Sequence, residues 1–190
     1  MTANGASLAA VGEVIRRRRT SLLVDPDRPV PDELVDELIG LATWAPNHHR
    51  TWPWRFAVVR GEGRHRLGRL VADYEARVGA APGRIAKAAG KYARAPVVLL
   101  VGQADNPNPT RRAEDRDAVA AGIQNLLLGA TAAGLASHWA TGTWLEDEAV
   151  KAFAGLAPAD DLVALVYLGW PRSECSTPDR PTPVVTRIGE

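Results

Sequence analysis

Three short stretches of this 190-residue chain hold the side chains best suited to chemistry. Residues 16–21 read R-R-R-R-T-S, residues 45–54 read A-P-N-H-H-R-T-W-P-W, and residues 139–142 read W-A-T-G. An arginine run followed by Thr20 and Ser21 offers the charge-assisted and hydroxyl donors that grip a phosphate. Successive helical residues are separated by about 100°, so four consecutive arginines cannot share one face, though one or two could turn inward to meet an anion. The same run suits a helix C-terminus, where cations complement the macrodipole, and both readings stand at this point. In the second stretch Pro46 and Pro53 fix φ and push the residues before them toward extended backbone, which stiffens an aromatic loop. Such a loop can dock a planar ligand or a partner subunit, and its tryptophans can equally fill a core.

Several chemistries are excluded. His48 and His49 are adjacent while His65 and His138 stand alone, which is not zinc-ligand spacing, so no metal is expected. There is no G-x-S-x-G elbow for a serine hydrolase. Residues 61–68 (G-E-G-R-H-R-L-G) lack the spacing of a dinucleotide fingerprint, and no phosphate loop of the G-x-x-x-x-G-K-[ST] type occurs. A formal net charge of +1 argues against a dedicated partner among nucleic acids or membrane surfaces. With Cys175 the only cysteine, an internal disulfide is impossible, which suits a reducing compartment. The first ten residues lack the charged and apolar regions of a signal peptide, so a cytoplasmic location is expected. Residues 118–137 carry no charge over a membrane-length span, but Gln124, Asn125 and repeated Ala and Gly make them a helix expected to be buried on most sides of a globular core.

The elements that must position these stretches follow from periodicity. Leu8, Val11 and Ile15 predict a first helix over residues 7–19, ending in the arginine run. Pro31, Asp32 and Glu33 start a second helix over 31–44, which feeds the stiff loop. Residues 54–60, 96–103, 135–141 and 162–168 read as strands. Helices are expected over 65–78, 84–92 and 114–134, with 106–112 as a loop and Thr143 and Glu146 as the capping box of a helix over 145–155. From residue 170 the chain is rich in proline and without a helix, so about 170–190 is expected to embrace a second copy, and about 1–7 to be flexible. Nothing marks a domain boundary, which predicts a single domain, residues 1–190, with strands and helices layered in an α/β or α+β arrangement.

In order and spacing these stretches resemble the FMN-dependent nitroreductase family, its short bacterial members in particular. Members carry R-R-S where this chain has Arg18-Arg19-Thr20, A-P-x-x-x-x-x-x-P-W where it has residues 45–54, and a W-x-S/T-G turn where it has 139–142. Residues 167–171 (Y-L-G-W-P) and 181–186 (P-T-P-V-V-T) match later segments, so the resemblance runs from about Val14 to Arg187. It implies an α+β, three-layer domain: a mostly antiparallel central sheet flanked by helices, with a C-terminal arm completing the partner subunit. It also implies an obligate homodimer with FMN in the subunit interface. Arg18, Arg19 and Thr20 would hold the phosphate and part of the flavin edge. Trp139, Ala140 and Thr141 would line the ring from the same subunit, and Pro46, Asn47, His48 and Arg50 would reach it from the partner. Flavin N5, rather than a catalytic side chain, would carry the chemistry, passing electrons from NAD(P)H to nitroaromatic, quinone or related acceptors by a ping-pong mechanism. Small planar substrates are expected. Two departures stand out: Leu22 and Leu23 replace basic residues that steady the reduced flavin, leaving Arg50, Arg19 or Arg187 to substitute, and Trp52 replaces a common glutamine, which would narrow the mouth of the site. The missing basic residues keep open a non-catalytic flavin-binding or sensor protein, and residues 79–90, where a substrate lid would lie, do not separate a flavin-remodelling or dehalogenating member of the same scaffold.

Overall fold

The computed structural model of the protein describes residues 7–189, so the flexibility expected at the N-terminus falls almost wholly outside the described residues. Four strands form one antiparallel sheet in the order β1-β2-β4-β3: β1 is Trp54–Val59, β2 Val97–Gln103, β3 Ala136–Ala140 and β4 Asp161–Gly169. The two central strands are buried at every position except Asp161. That is why they read as continuous apolar runs, V-V-L-L-V and L-V-A-L-V-Y-L, with no alternation toward a wet face.

Side chains of β2 divide by the period of two between separate cores. Val97, Leu99 and Val101 pack with α2 (Asp32–Ala42) and α5 (Pro109–Ala132), while Val98 and Leu100 pack with α3 (Glu62–Arg77), α4 (Pro82–Lys91) and α6 (Glu148–Phe153). The result is the expected three-layer α+β arrangement of helices, sheet and helices. A first helix, α1 (Leu8–Arg17), lies against α5 with Leu8, Val11 and Ile15 exposed.

The tryptophans of residues 41–54 separate into two kinds. Trp54 is core: it is buried, and its indole N–H donates to the Ala118 carbonyl at 3.2 Å across Gly122. A Cβ at Gly122 would meet the Trp54 indole nitrogen at 2.7 Å and the Ala42 carbonyl at 2.8 Å, so only glycine lets α2, α5 and β1 close on one another there. Trp44 and Trp52, by contrast, are 84% and 60% exposed.

Three local expectations need correction. Residues 106–112 are not all loop, because α5 begins at Pro109, where a missing N–H costs nothing, and Asn108 caps it by accepting from the backbone N–H groups of Thr110 and Arg111. Thr143 and Glu146 do not form a capping box: they span a 3₁₀ turn, and the cap of α6 is Asp147, which accepts from Ala149 and Val150. Asp147 is chosen because it also meets Arg77, the last residue of α3, at 2.6 Å. Finally, α5 buries one stripe, through Val119, Ile123 and Leu126, rather than most of its circumference; Ala120, Gln124, Leu128 and Ala132 form an outward row, half-buried or exposed and uncharged.

The corrected cap is open to test by urea unfolding. Asp147→Ala is expected to lower stability by about 1–2 kcal/mol, whereas Thr143→Ala should stay within about 0.5 kcal/mol of the wild type.

Candidate functional site

The arginine run leaves α1 and turns into an extended segment beside β3. Thr20 bridges Ser137 in parallel, and the Ser21 N–H donates to the Ser137 carbonyl at 2.9 Å. Ser21 is therefore structural, since its hydroxyl also accepts from the Leu23 N–H, while the Thr20 side chain stays exposed. The arginines diverge as helical geometry requires. Arg17 pairs with Glu13, and Arg19 donates to the carbonyls of Arg18 and Ser176. Half-buried Arg18 has no carboxylate within reach among the described residues. Beside them a cleft of about 540 Å³ is lined by Arg17, Arg19, Ser21, Thr131 and Arg172. The Ser137 hydroxyl next to this segment is buried without a hydrogen-bond partner.

Trp139 and Ala140 end β3 and lean to opposite faces of the sheet, Trp139 against the α2–α5 core and Ala140 against the α3–α4 core. Thr141 follows, exposed. Gly142 has a packing reason to be glycine: the Trp144 indole folds back so closely that a Cβ would lie 2.3 Å from its nitrogen. The turn thereby keeps the backbone after β3 open while Trp144 stays in the core, edge-on to Tyr92.

The 45–54 loop sits at the other edge of the sheet, where it leads into β1. Its backbone is left-handed at His49, Arg50 and Trp52, with φ of 63°, 54° and 53°. Left-handed backbone costs a non-glycine residue roughly 1–2 kcal/mol, so three such residues in four require outside support. Asn47 supplies part of it, accepting from the Trp52 N–H at 2.9 Å and donating to the Thr51 hydroxyl at 3.0 Å. The rest comes from Asp115 of α5, a carboxylate 2% exposed that accepts from Thr51, from Asn47 at 3.4 Å and from Asn106 at 3.0 Å. Sequence reasoning passed over Asp115, whose place in R-R-A-E-D-R-D looks like any solvated charge. His48 meets Glu114 at 3.1 Å and stacks on His49 with centroids 3.7 Å apart. The three side chains bring ligand atoms within 4.8 Å of one another, with the two imidazole rings stacked and inclined by 25°. Pro46 and Arg50 are exposed, and Arg50 has no carboxylate partner among the described residues.

The structure thus brings Arg18, Arg19 and Thr20 together with β3, and separately groups Pro46, Asn47, His48 and Arg50 at the start of α5. The two groups lie at opposite ends of that helix. Asp115, which holds the loop, and Thr131, which lines the arginine cleft, are sixteen residues apart, or about 24 Å of helical rise.

A three-layer α+β domain with a cationic, hydroxyl-bearing segment laid against one sheet edge and a strained aromatic loop at the other defines the class of protein. The chain belongs to the nitroreductase family, whose model matches residues 15–170. It is 30% identical over 178 residues to YdjA of Escherichia coli (strain K12), provisionally named an NAD(P)H nitroreductase, covering 91% of this chain and 96% of that one. Among solved structures, the nitroreductase-like protein of Bacillus cereus superposes over the whole of both chains with a TM-score of 0.79 at 26% identity. A protein of Desulfovibrio desulfuricans, provisionally named a nitroreductase and solved in complex with FMN, is 25% identical with a TM-score of 0.69, over 93% of this chain and 94% of that one. Among the described residues no helix is long and apolar enough to cross a membrane.

Next to Trp139, His138 packs edge-on to Tyr167, and burial lowers its pKa from the ordinary value of 6.5 while pushing the Tyr167 phenol up to about 12. Both groups are therefore neutral near pH 7. A histidine with a depressed folded-state pKa adds nothing above the unfolded value and weakens the fold as pH drops below it, because the unfolded chain then binds the proton more readily. Unfolding free energy is expected to decline from pH 7 to pH 5 in the wild type and to decline less in His138→Gln, as read by urea unfolding at each pH.

Proposed function

We propose that the protein is an FMN-dependent oxidoreductase that works as a homodimer, with each flavin held between an arginine segment of one subunit and the 46–50 loop of the other. The observation that carries this reading is the position of the two residue groups at opposite ends of α5. A two-fold axis across α5 would set the loop of one copy against the arginine segment of the next. Other features support the pairing. The outward row of α5 is uncharged, the apolar face of α1 is bare, and residues 171–189 are all exposed, including Val184, Val185 and Ile188. A second copy would bury these together.

The donor set suits FMN. Arg18 and Thr20 are free to take an anionic phosphate, and the unpartnered Ser137 hydroxyl stands next to them. With the Trp139 and Ala140 side chains turned to opposite faces of the sheet, the backbone of Trp139, Ala140 and Thr141 would border the ring, and Pro46, Asn47 and His48 of the partner subunit would close the site. When bound, FMN supplies the redox chemistry, accepting electrons from NAD(P)H and passing them to a nitroaromatic, quinone or related acceptor in alternating half-reactions. Leu22 is half-buried against the α3–α4 core and Leu23 is exposed, and neither apolar side chain can steady negative charge on the ring. Arg50 is the candidate for that role: it has no carboxylate partner, whereas Arg19 already donates to two carbonyls. Exposed Trp52 at the same loop would favour planar acceptors. The single, exposed Cys175 accords with work in the reducing cytoplasm.

Purified protein is expected to be yellow and to release FMN on denaturation, and to oxidise NADH or NADPH with menadione or nitrofurazone as acceptor. Bound flavin without turnover would instead assign a binding or sensor role. The shared site has its own signature. A heterodimer of Arg18→Ala with His48→Ala should keep one intact site and about half the wild-type FMN content, while sites built within one chain would leave both damaged.

A further inference from the structure

Asp115 is a carboxylate almost wholly removed from solvent, yet it pairs with no arginine or lysine among the described residues. Its partners are three neutral donors from two separate segments: Thr51 and Asn47 from the loop, and Asn106 from the turn that precedes α5. The network is complete atom by atom. The one hydroxyl proton of Thr51 goes to Asp115, which frees its oxygen to accept from the Asn47 amide at 3.0 Å, and the Asn47 carbonyl is left to accept from the Trp52 N–H at 2.9 Å. Each link bends the chain back on itself, and the residues between the links, His49 and Arg50, together with Trp52, are those forced into left-handed backbone.

We infer that Asp115 is the positioning residue of the 47–52 loop, fixing through Asn47 and Thr51 the strained backbone that displays His48, Arg50 and Trp52. The inference rests on the functional reading above only for what those side chains face; the anchoring itself belongs to this chain alone. A buried acceptor suits the task because three half-buried donors converge on its two oxygens, and losing that acceptor would cut the side-chain hydrogen bonds that tie Asn47 and Thr51 to α5. The strain then has a use. A loop held in a high-energy shape presents Arg50 and Trp52 outward before any ligand arrives, so that ordering them costs little on binding.

The test replaces acceptor by amide. Asp115→Asn keeps the side-chain shape but turns one acceptor into a donor facing Asn106 or Asn47. In flavin-stripped protein, tryptic cleavage after Arg50 is expected to rise at least tenfold, with cleavage after Arg77 and circular dichroism unchanged, and the FMN dissociation constant is expected to rise at least tenfold. Asp117→Asn, an exposed acid on the same helix, should match the wild type in each. The exchange Asn47→Asp with Asp115→Asn restores a donor-acceptor pair and should recover much of the protection after Arg50. The idea is overturned by cleavage after Arg50 within twofold of the wild type, by a parallel rise after Arg77, or by an exchange variant no better than Asp115→Asn alone. Should Asp115→Asn fail to fold, Thr51→Val cuts the same link from the loop side, and unchanged cleavage after Arg50 in that variant sinks the proposal. If the wild type binds no FMN, the functional reading falls while cleavage still decides the role of Asp115.

Discussion

Burial of β2 and β4 on both faces is the constraint from which the rest of the structure follows. Two neighbouring strands with no wet side need a helical layer above and below, and the chain supplies α2 and α5 on one face and α3, α4 and α6 on the other. With the centre occupied by packing, chemistry is confined to the margins. The two outer strands are where the backbone meets solvent, and each carries one half of the candidate site: β3 with the arginine segment laid beside it, and β1 with the stiff loop that leads into it.

The long helix α5 links these margins. Its buried stripe is anchored by Trp54 over Gly122, its N-terminal end holds the loop through Asp115, and its C-terminal end lines the arginine cleft. A rigid rod of this kind fixes the distance between the half-sites. That distance is also what makes a single copy incomplete in the proposed reading, and the charge-free outer row of the same helix is the surface on which a second copy would lie. Stability and assembly would then depend on opposite sides of one element, the apolar side by burying its residues within the chain and the uncharged side by meeting a second copy without a buried charge.

Elements were legible in the sequence wherever hydrophobic period and length agreed. The four strands and the helices fall within a few residues of their expected places, because β-rich apolar runs bounded by Gly and Pro leave little choice. Two of the three corrected features were caps. Asn108-Pro109 looked like loop because Asn and Pro favour turns, and the same two residues start a helix when apolar packing follows. Thr143 with Glu146 matched a capping pattern, but Asp147 has a second partner in Arg77, which is distant in sequence and therefore invisible to local pattern.

The site divides along the same line. Residue type and order singled out residues 16–21, 45–54 and 139–142, because arginines, hydroxyls and proline-bounded aromatics carry their chemistry wherever they sit, and the family resemblance narrowed these to Arg18 to Thr20, to Pro46, Asn47, His48 and Arg50, and to Trp139 to Thr141. Composition could not say which tryptophan was core and which was displayed; that was decided by the close approach of α2, α5 and β1 at Gly122, which leaves room for Trp54 and none beside it. Nor could it single out Asp115 from the charged run around it. A carboxylate becomes an anchor only when folding removes it from water and brings Asn47, Thr51 and Asn106 to its oxygens, and the contact with Thr51 spans 64 residues of chain. Local chemistry was written in the sequence. Which groups are dry, which are strained, and which face one another were settled by tertiary packing, because each depends on neighbours that the chain supplies from far away.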